Sequence, residues 1–227
     1  MKNLVRNALF SFGIIAVAQT AFAAGDAAAG ADKVAVCAAC HGADGNSPAP
    51  NFPKIAGLGE RYLFKQLRDI QAWDQETDAA KKAQAGRAVP EMTGMLSGLS
   101  DQDLQDIAAF FAAQNIQLSG AKEINVQTNS GMEVDGLELG ERIYRSGNLA
   151  NGVPACTGCH TPDGLGNPPA GYPRLSGQYA QYIEKQLLDF RGGRRINDGE
   201  QMTMRMVADK MSDAEIKAVA NYIAGLH

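Results

Sequence analysis

The word Cys-x-x-Cys-His occurs twice in this 227-residue chain, as Cys37-Ala38-Ala39-Cys40-His41 and as Cys156-Thr157-Gly158-Cys159-His160, and the two copies use all four cysteines. This spacing is that of covalent attachment of a c-type haem. One helical turn sets both thiols under the two vinyl groups of a porphyrin, and the adjacent imidazole reaches the iron from the proximal side. Two such words predict two covalently bound haem c groups, with Cys37, Cys40, Cys156 and Cys159 as attachment points and His41 and His160 as iron ligands. Each half of the chain must then fold around a flat apolar disc.

Other uses of Cys-x-x-Cys fit less well. A redox-active dithiol opens a helix within an alternating strand and helix pattern, and no strand run flanks either word. Structural zinc needs four ligands, whereas each word offers two thiols and one imidazole. Free-standing disulfides leave the histidine after both second cysteines without a reason.

The N-terminus carries Lys2 and Arg6, an apolar stretch from Ala8 to Ala18, and then Ala21-Phe22-Ala23. This order predicts a secretory signal peptide over residues 1–23, cut after Ala23. The stretch is too short for a membrane span of about 20 apolar residues. Export agrees with the haem reading, because c-type attachment in bacteria takes place on the periplasmic side, and the expected location is the periplasm. Loss of Lys2 and Arg6 takes the formal charge from −4 to −6. An acidic balance sets aside nucleic acid, which calls for a basic patch, and points to redox proteins that dock through local charge complementarity.

The halves align beyond the haem words. Asn51-Phe52-Pro53-Lys54-Ile55-Ala56-Gly57 matches Gly171-Tyr172-Pro173-Arg174-Leu175-Ser176-Gly177, and Tyr62, Lys65, Gln66, Leu67 and Asp69 match Tyr182, Lys185, Gln186, Leu187 and Asp189, at a constant offset of 120. Further on the offset becomes 112, where Leu99-Ser100-Asp101 meets Met211-Ser212-Asp213. The chain is a tandem duplication. Its polar stretch from Gln117 to Val134 has linker composition, which divides the mature chain into residues 24–128 and 129–227.

Each half reads as three main helices, and the predicted fold class is all-α with no sheet. The first helix leads into the haem word, over about 27–39 and, with a looser approach, about 137–144. The second covers about 60–73 and 179–190. The third starts at Ser100 or Ser212, each followed three residues later by an acid, Asp103 or Glu215, in a capping-box pattern. Gly30 and Gly140 suit a close crossing with the last helix at Phe110 or Tyr222. Two domains of this size have thin cores, so the porphyrins are expected to supply much of each interior.

The distal ligand separates electron carriers from ligand-binding enzymes. With three histidines, His41, His160 and His227, two bis-histidine haems are impossible. Methionine is the next candidate, and the duplication selects among the eight. At the offset of 112 Met92 falls on Met204, while Met95 falls on Val207, Met202 on Pro90 and Met206 on Gly94. Met92 and Met204 are therefore the expected axial ligands. Pro53 and Pro173 lie where a backbone carbonyl is placed to accept a bond from the proximal histidine's Nδ1.

Together the two haem words, the segment Asn46-Ser47-Pro48-Ala49-Pro50-Asn51-Phe52-Pro53-Lys54 and the segment Glu91-Met92-Thr93-Gly94-Met95 resemble the dihaem cytochrome c4 family over essentially the whole mature chain. The resemblance implies two tandem cytochrome c-like domains, each wrapping one covalently bound haem c, facing each other through their propionates. It implies ligation by His41 with Met92 and by His160 with Met204. It also implies a periplasmic electron carrier, often membrane-associated, that takes electrons from an upstream donor such as a quinol-oxidising complex and delivers them to a terminal haem-copper oxidase. The alternatives are a dihaem redox enzyme with one open iron and a cytochrome subunit held in a dehydrogenase complex.

Overall fold

A close crossing of the first and last helices organises each half. A computed structural model describes residues 24–82, 84 and 86–227, and the signal peptide expected over 1–23 lies outside the described residues. The N-terminal half contains α1 (Ala27–Ala31), α2 (Ala35–His41), α3 (Glu60–Gln75), α4 (Ala79–Lys82) and α5 (Asp101–Ala112). The C-terminal half contains α6 (Gly136–Ser146), α7 (Thr157–His160), α8 (Ala180–Arg191), α9 (Thr203–Asp209) and α10 (Asp213–Gly225).

The crossings are as tight as the glycines suggest. A Cβ added at Gly30 would sit 2.1 Å from the Asp106 carbonyl oxygen and 2.9 Å from Phe110 Cβ. At Gly140 it would sit 2.2 Å from the Ala218 carbonyl oxygen and 2.8 Å from Tyr222 Cβ. Only hydrogen fits there. Both last helices start as expected: Ser100 and Asp103, and Ser212 and Glu215, form reciprocal capping boxes, which satisfy orphan N–H groups of the first turn.

The cores pack beside these crossings. In the N-terminal half Leu58, Leu63, Ile107 and Phe111 form one buried cluster, and Ile70, Leu96 and Leu104 form a second. In the C-terminal half Ile143, Tyr144, Phe190, Ile216, Val219 and Ile223 belong to a single larger cluster. Duplication has preserved the helices and not the volume packed between them.

Two features depart from the sequence expectation. The fold is helix-dominated, as expected, but β1 (Asn125–Gln127) and β2 (Glu133–Asp135) pair as a small antiparallel hairpin in the stretch read as plain linker. Its central rung is Val126 opposite Val134, and Val126 is buried against the C-terminal core. One apolar residue per strand is too short a pattern to register as alternation. The hairpin turn contains Asn129, so β1 precedes the residue taken as the start of the second domain.

Secondly, the single helix expected over 27–39 is two helices. Lys33 donates its backbone N–H to the Gly30 carbonyl at 2.9 Å in a turn, and its Nζ reaches Asp103 at 2.8 Å and Asp106 at 2.6 Å on α5. The tertiary anchor breaks the helix. In the second half the approach is looser, as expected: the haem word stands apart from α6, across a loop that reverses at Gly147, where φ is +70°.

Candidate haem sites

Both haem words end in the same backbone manoeuvre. After His41 the chain turns through Gly42 at φ +78° and ψ 154°, and after His160 through Thr161 at φ +66° and ψ 158°. That region costs a non-glycine residue about 1–3 kcal/mol. Thr161 is held in it by its surroundings: Oγ1 lies 2.5 Å from Asp163 Oδ1 and accepts the Leu165 N–H at 3.0 Å, while the Tyr144 hydroxyl donates to its carbonyl at 2.7 Å.

The reversal brings a proline loop back over each imidazole. His41 Nδ1 lies 2.8 Å from the Pro53 carbonyl and His160 Nδ1 lies 3.0 Å from the Pro173 carbonyl. A proton on Nδ1 donates to that oxygen in each half and leaves Nε2 with its lone pair. Both rings are buried. Burial pushes their pKa below the ordinary histidine value, partly opposed by the proline carbonyl, so the ring that faces inward is neutral.

Burial also pushes the Cys37 thiol up, and the Cys156 thiol up to about 11. A catalytic Cys-x-x-Cys shows the opposite shift, because its reactive thiol is held as thiolate. The sulfurs sit in apolar walls, which suits thioether attachment.

In the C-terminal half the expected donors share one cavity. It has a volume of about 1350 Å³, and its walls include Cys156, Cys159, His160 and Met204, with Ile183, Leu187 and Val207 as apolar lining. Typical small-molecule sites occupy about 300–1,000 Å³. Two thiols, one neutral imidazole and one thioether around an apolar space are the donor set of a c-type haem, so residues and group fit.

In the N-terminal half Cys37 and Met92 pack against two adjoining clusters that share residues of α3. Cys37 packs against the Leu58, Leu63 and Phe111 cluster, Met92 against the Ile70, Leu96 and Leu104 cluster, and Phe64, Leu67 and Leu99 contact both. Met92 closes the one-turn 3-10 helix Pro90–Met92. Of the other described methionines, Met95, Met132, Met202 and Met206 are exposed, Met206 by 61%, while Met211 is buried in the C-terminal core and lines the cavity beside Met204.

Sequence reasoning left the rim of these sites unassigned. Arg87 donates to Gln66 Oε1 at 2.9 Å in its own half and across the boundary to the Tyr182 hydroxyl at 3.0 Å and Gln186 Oε1 at 2.9 Å. Arg195 does the converse, donating to Gln186 Oε1 at 2.7 Å, the Tyr62 hydroxyl at 3.1 Å and Gln66 Oε1 at 3.0 Å. Tyr62, Gln66, Tyr182, Gln186 and Arg195 all line the cavity, so both halves contribute to its wall. The matched Tyr and Gln positions were a visible signal; Arg87 carried none.

Helices gathered around a Cys-x-x-Cys-His word and a proline-oriented imidazole define a c-type cytochrome, here with two such domains in tandem. The family model for cytochrome c matches residues 26–114 and 137–227. The chain belongs to the cytochrome c4 family. It is 53% identical over 227 residues to cytochrome c4 of Azotobacter vinelandii, covering 100% of both chains. The crystal structure of reduced recombinant cytochrome c4 from Pseudomonas stutzeri superposes with a TM-score of 0.81 at 54% identity, covering 90% of this chain and 100% of that one. A more distant relative is the thiosulfate dehydrogenase electron acceptor of Stutzerimonas stutzeri, 34% identical over 199 residues, or 87% of this chain and 82% of that protein. The chain accordingly carries two covalently bound haem c groups and is a dihaem electron carrier.

Proposed function

We propose that the chain works in the periplasm, that His41 with Met92 and His160 with Met204 are the axial ligands, and that it passes electrons to a terminal haem-copper oxidase. Bound haem supplies a reversible one-electron couple between ferric and ferrous iron. The protein's part is to hold and tune it. The Pro53 and Pro173 carbonyls raise the basicity of the imidazoles through the Nδ1 bond, while a soft thioether on the opposite side favours the reduced state. With both axial positions taken by side chains, oxygen and peroxide have no free coordination site. The carried chemistry is then outer-sphere transfer.

The observation that supports this reading is that Met204 lines the same cavity as His160, with Met92 as its counterpart at the sequence offset of 112. Met92→His and Met204→His test it. Each is expected to lower the potential of one haem and leave covalent attachment intact, and an unchanged potential and unchanged ferric thioether band would remove that ligand.

Location rests on the export-type sequence of residues 1–23. No helix among the described residues is long and apolar enough to cross a membrane. For the donor, a quinol-oxidising complex is one candidate. The relationship to a thiosulfate dehydrogenase electron acceptor favours a second, a dehydrogenase that reduces this chain directly. Mixing the oxidised protein with each candidate donor and following haem reduction separates them.

A further inference from the structure

Gln178 of the C-terminal half reaches into the N-terminal half and binds both backbone groups of one residue. Its Oε1 accepts the Lys54 N–H at 3.0 Å and its Nε2 donates to the Lys54 carbonyl at 2.7 Å. The side-chain amide thus pairs with Lys54 as a strand neighbour would, and the two bonds together fix which end is oxygen. Both residues are buried. Oε1 also accepts the N–H of Tyr179 at 3.1 Å, which locks the amide from behind.

Lys54 directly follows Pro53, whose carbonyl receives His41 Nδ1. The neighbouring contacts add to the hold: the Tyr179 hydroxyl donates to the Ser47 carbonyl at 2.6 Å, and Ser47 Oγ bonds the Cys40 carbonyl at 2.9 Å, inside the haem word. Lys54 Nζ donates to the Gln117 carbonyl at 2.5 Å. One domain therefore grips the other's proximal loop at two points after the histidine, Ser47 and Lys54.

The reverse contact does not exist in the same form. At the offset of 120 the residue matching Gln178 is Leu58, whose alkyl side chain cannot pair with the backbone of Arg174, the counterpart of Lys54. The N-terminal half touches the other proximal loop through Arg61, which donates to the Pro169 carbonyl at 2.5 Å, four residues before Pro173.

We propose that Gln178 is a positioning residue for the N-terminal haem: by clamping Lys54 from the other domain it holds the Pro53 carbonyl against His41, so domain docking tunes that haem and not its twin. A firm Nδ1–H···O bond makes the imidazole a stronger donor and stabilises ferric iron. Loosening the clamp raises the N-terminal potential. The inference rests on His41 as proximal ligand.

Gln178→Met, which keeps length and loses both bonds, tests it in the full-length haem-loaded protein, with Gln178→Ala as a second variant free of any packing strain. The readouts are a redox titration resolving both haems, assigned with Met92→His, and hydrogen exchange at the Lys54 amide. The expected result is a raised N-terminal potential, an unmoved C-terminal potential and Lys54 exchange faster by about tenfold, the worth of one ordinary hydrogen bond. Potentials that stay put, or that move together, overturn the proposal. Absence of a low-spin histidine and thioether spectrum in the parent protein would instead overturn the ligation reading.

Discussion

Arg87 and Arg195 hold equivalent positions in the two halves, although no ungapped alignment places them together. The backbone N–H of Arg87 donates to the Asp69 carbonyl at 3.0 Å and that of Arg195 to the Asp189 carbonyl at 3.0 Å, and Asp69 and Asp189 match at the offset of 120. From these anchors each guanidinium bonds one glutamine of its own half and a tyrosine and glutamine of the other. The contact between domains has the approximate two-fold character of the duplication itself.

Replacing Arg195 with Met strips four bonds, two of them between domains and two to Gln186 and Asn197 of its own half. Bonds to a charged group are worth about 1.5–3 kcal/mol each, and neighbours in one network do not add, so a loss of about 2–4 kcal/mol is expected. Denaturant titration should show the two halves unfolding in separate steps. A single transition within about 0.5 kcal/mol of the parent, the usual effect of a surface change, contradicts the assignment.

Gly30→Ala and Gly140→Ala each push a methyl into a backbone carbonyl little more than 2 Å away. Neither partner is a side chain that can swing aside. Overpacking of this kind typically costs about 1–3 kcal/mol and more where backbone must shift, so the upper end is expected in both. Thermal unfolding is the measurement, and an unchanged midpoint would mean that the helices do not cross at these residues.

Acid sensitivity in the N-terminal half is expected to involve Asp106 together with Asp103, whose carboxyl Lys33 and Ser100 hold still further below the ordinary value. The Lys33 ammonium, the Asp26 N–H and the Gln102 amide beside Asp106 pull its pKa down to about 2, below the ordinary carboxylate value near 3.9. A depressed folded pKa contributes stability that is complete above the unfolded value and disappears as pH falls through the folded one. Asp106→Asn should therefore lower the thermal midpoint at pH 7 and flatten its fall between about pH 4 and 2. A variant with the parent's acid limb would place the loss elsewhere.

The exposed methionines provide the negative control for ligation. Met95→Leu, Met202→Leu and Met206→Leu should leave both potentials and the ferric thioether band in place, since these side chains face solvent. Loss of half the band in the Met206 variant would transfer the second ligand from Met204 to Met206.

Much of this was legible in the sequence because the signals are local or repeated. The haem words, the Ser100 and Ser212 caps and the Gly30 and Gly140 crossings depend on residues within a turn of one another or on the match between halves. What escaped depends on tertiary placement. Lys33 breaks the first helix because two aspartates of α5 stand beside it, and no periodicity in residues 27–39 records that. Val126 and Val134 make a hairpin on one apolar residue each. Arg87 sits within the polar, charge-rich segment from Asp74 to Arg87, where sequence offered no reason to single it out.

The central claim is that both irons are held between imidazole and thioether and carry charge alone. A redox titration of the purified protein followed by visible and near-infrared spectra tests it most directly. Two one-electron steps are predicted, with both ferric centres low-spin and the thioether band at two equivalents per chain. A five-coordinate, high-spin centre at rest, or rapid and complete carbon monoxide binding at one ferrous haem, would contradict it.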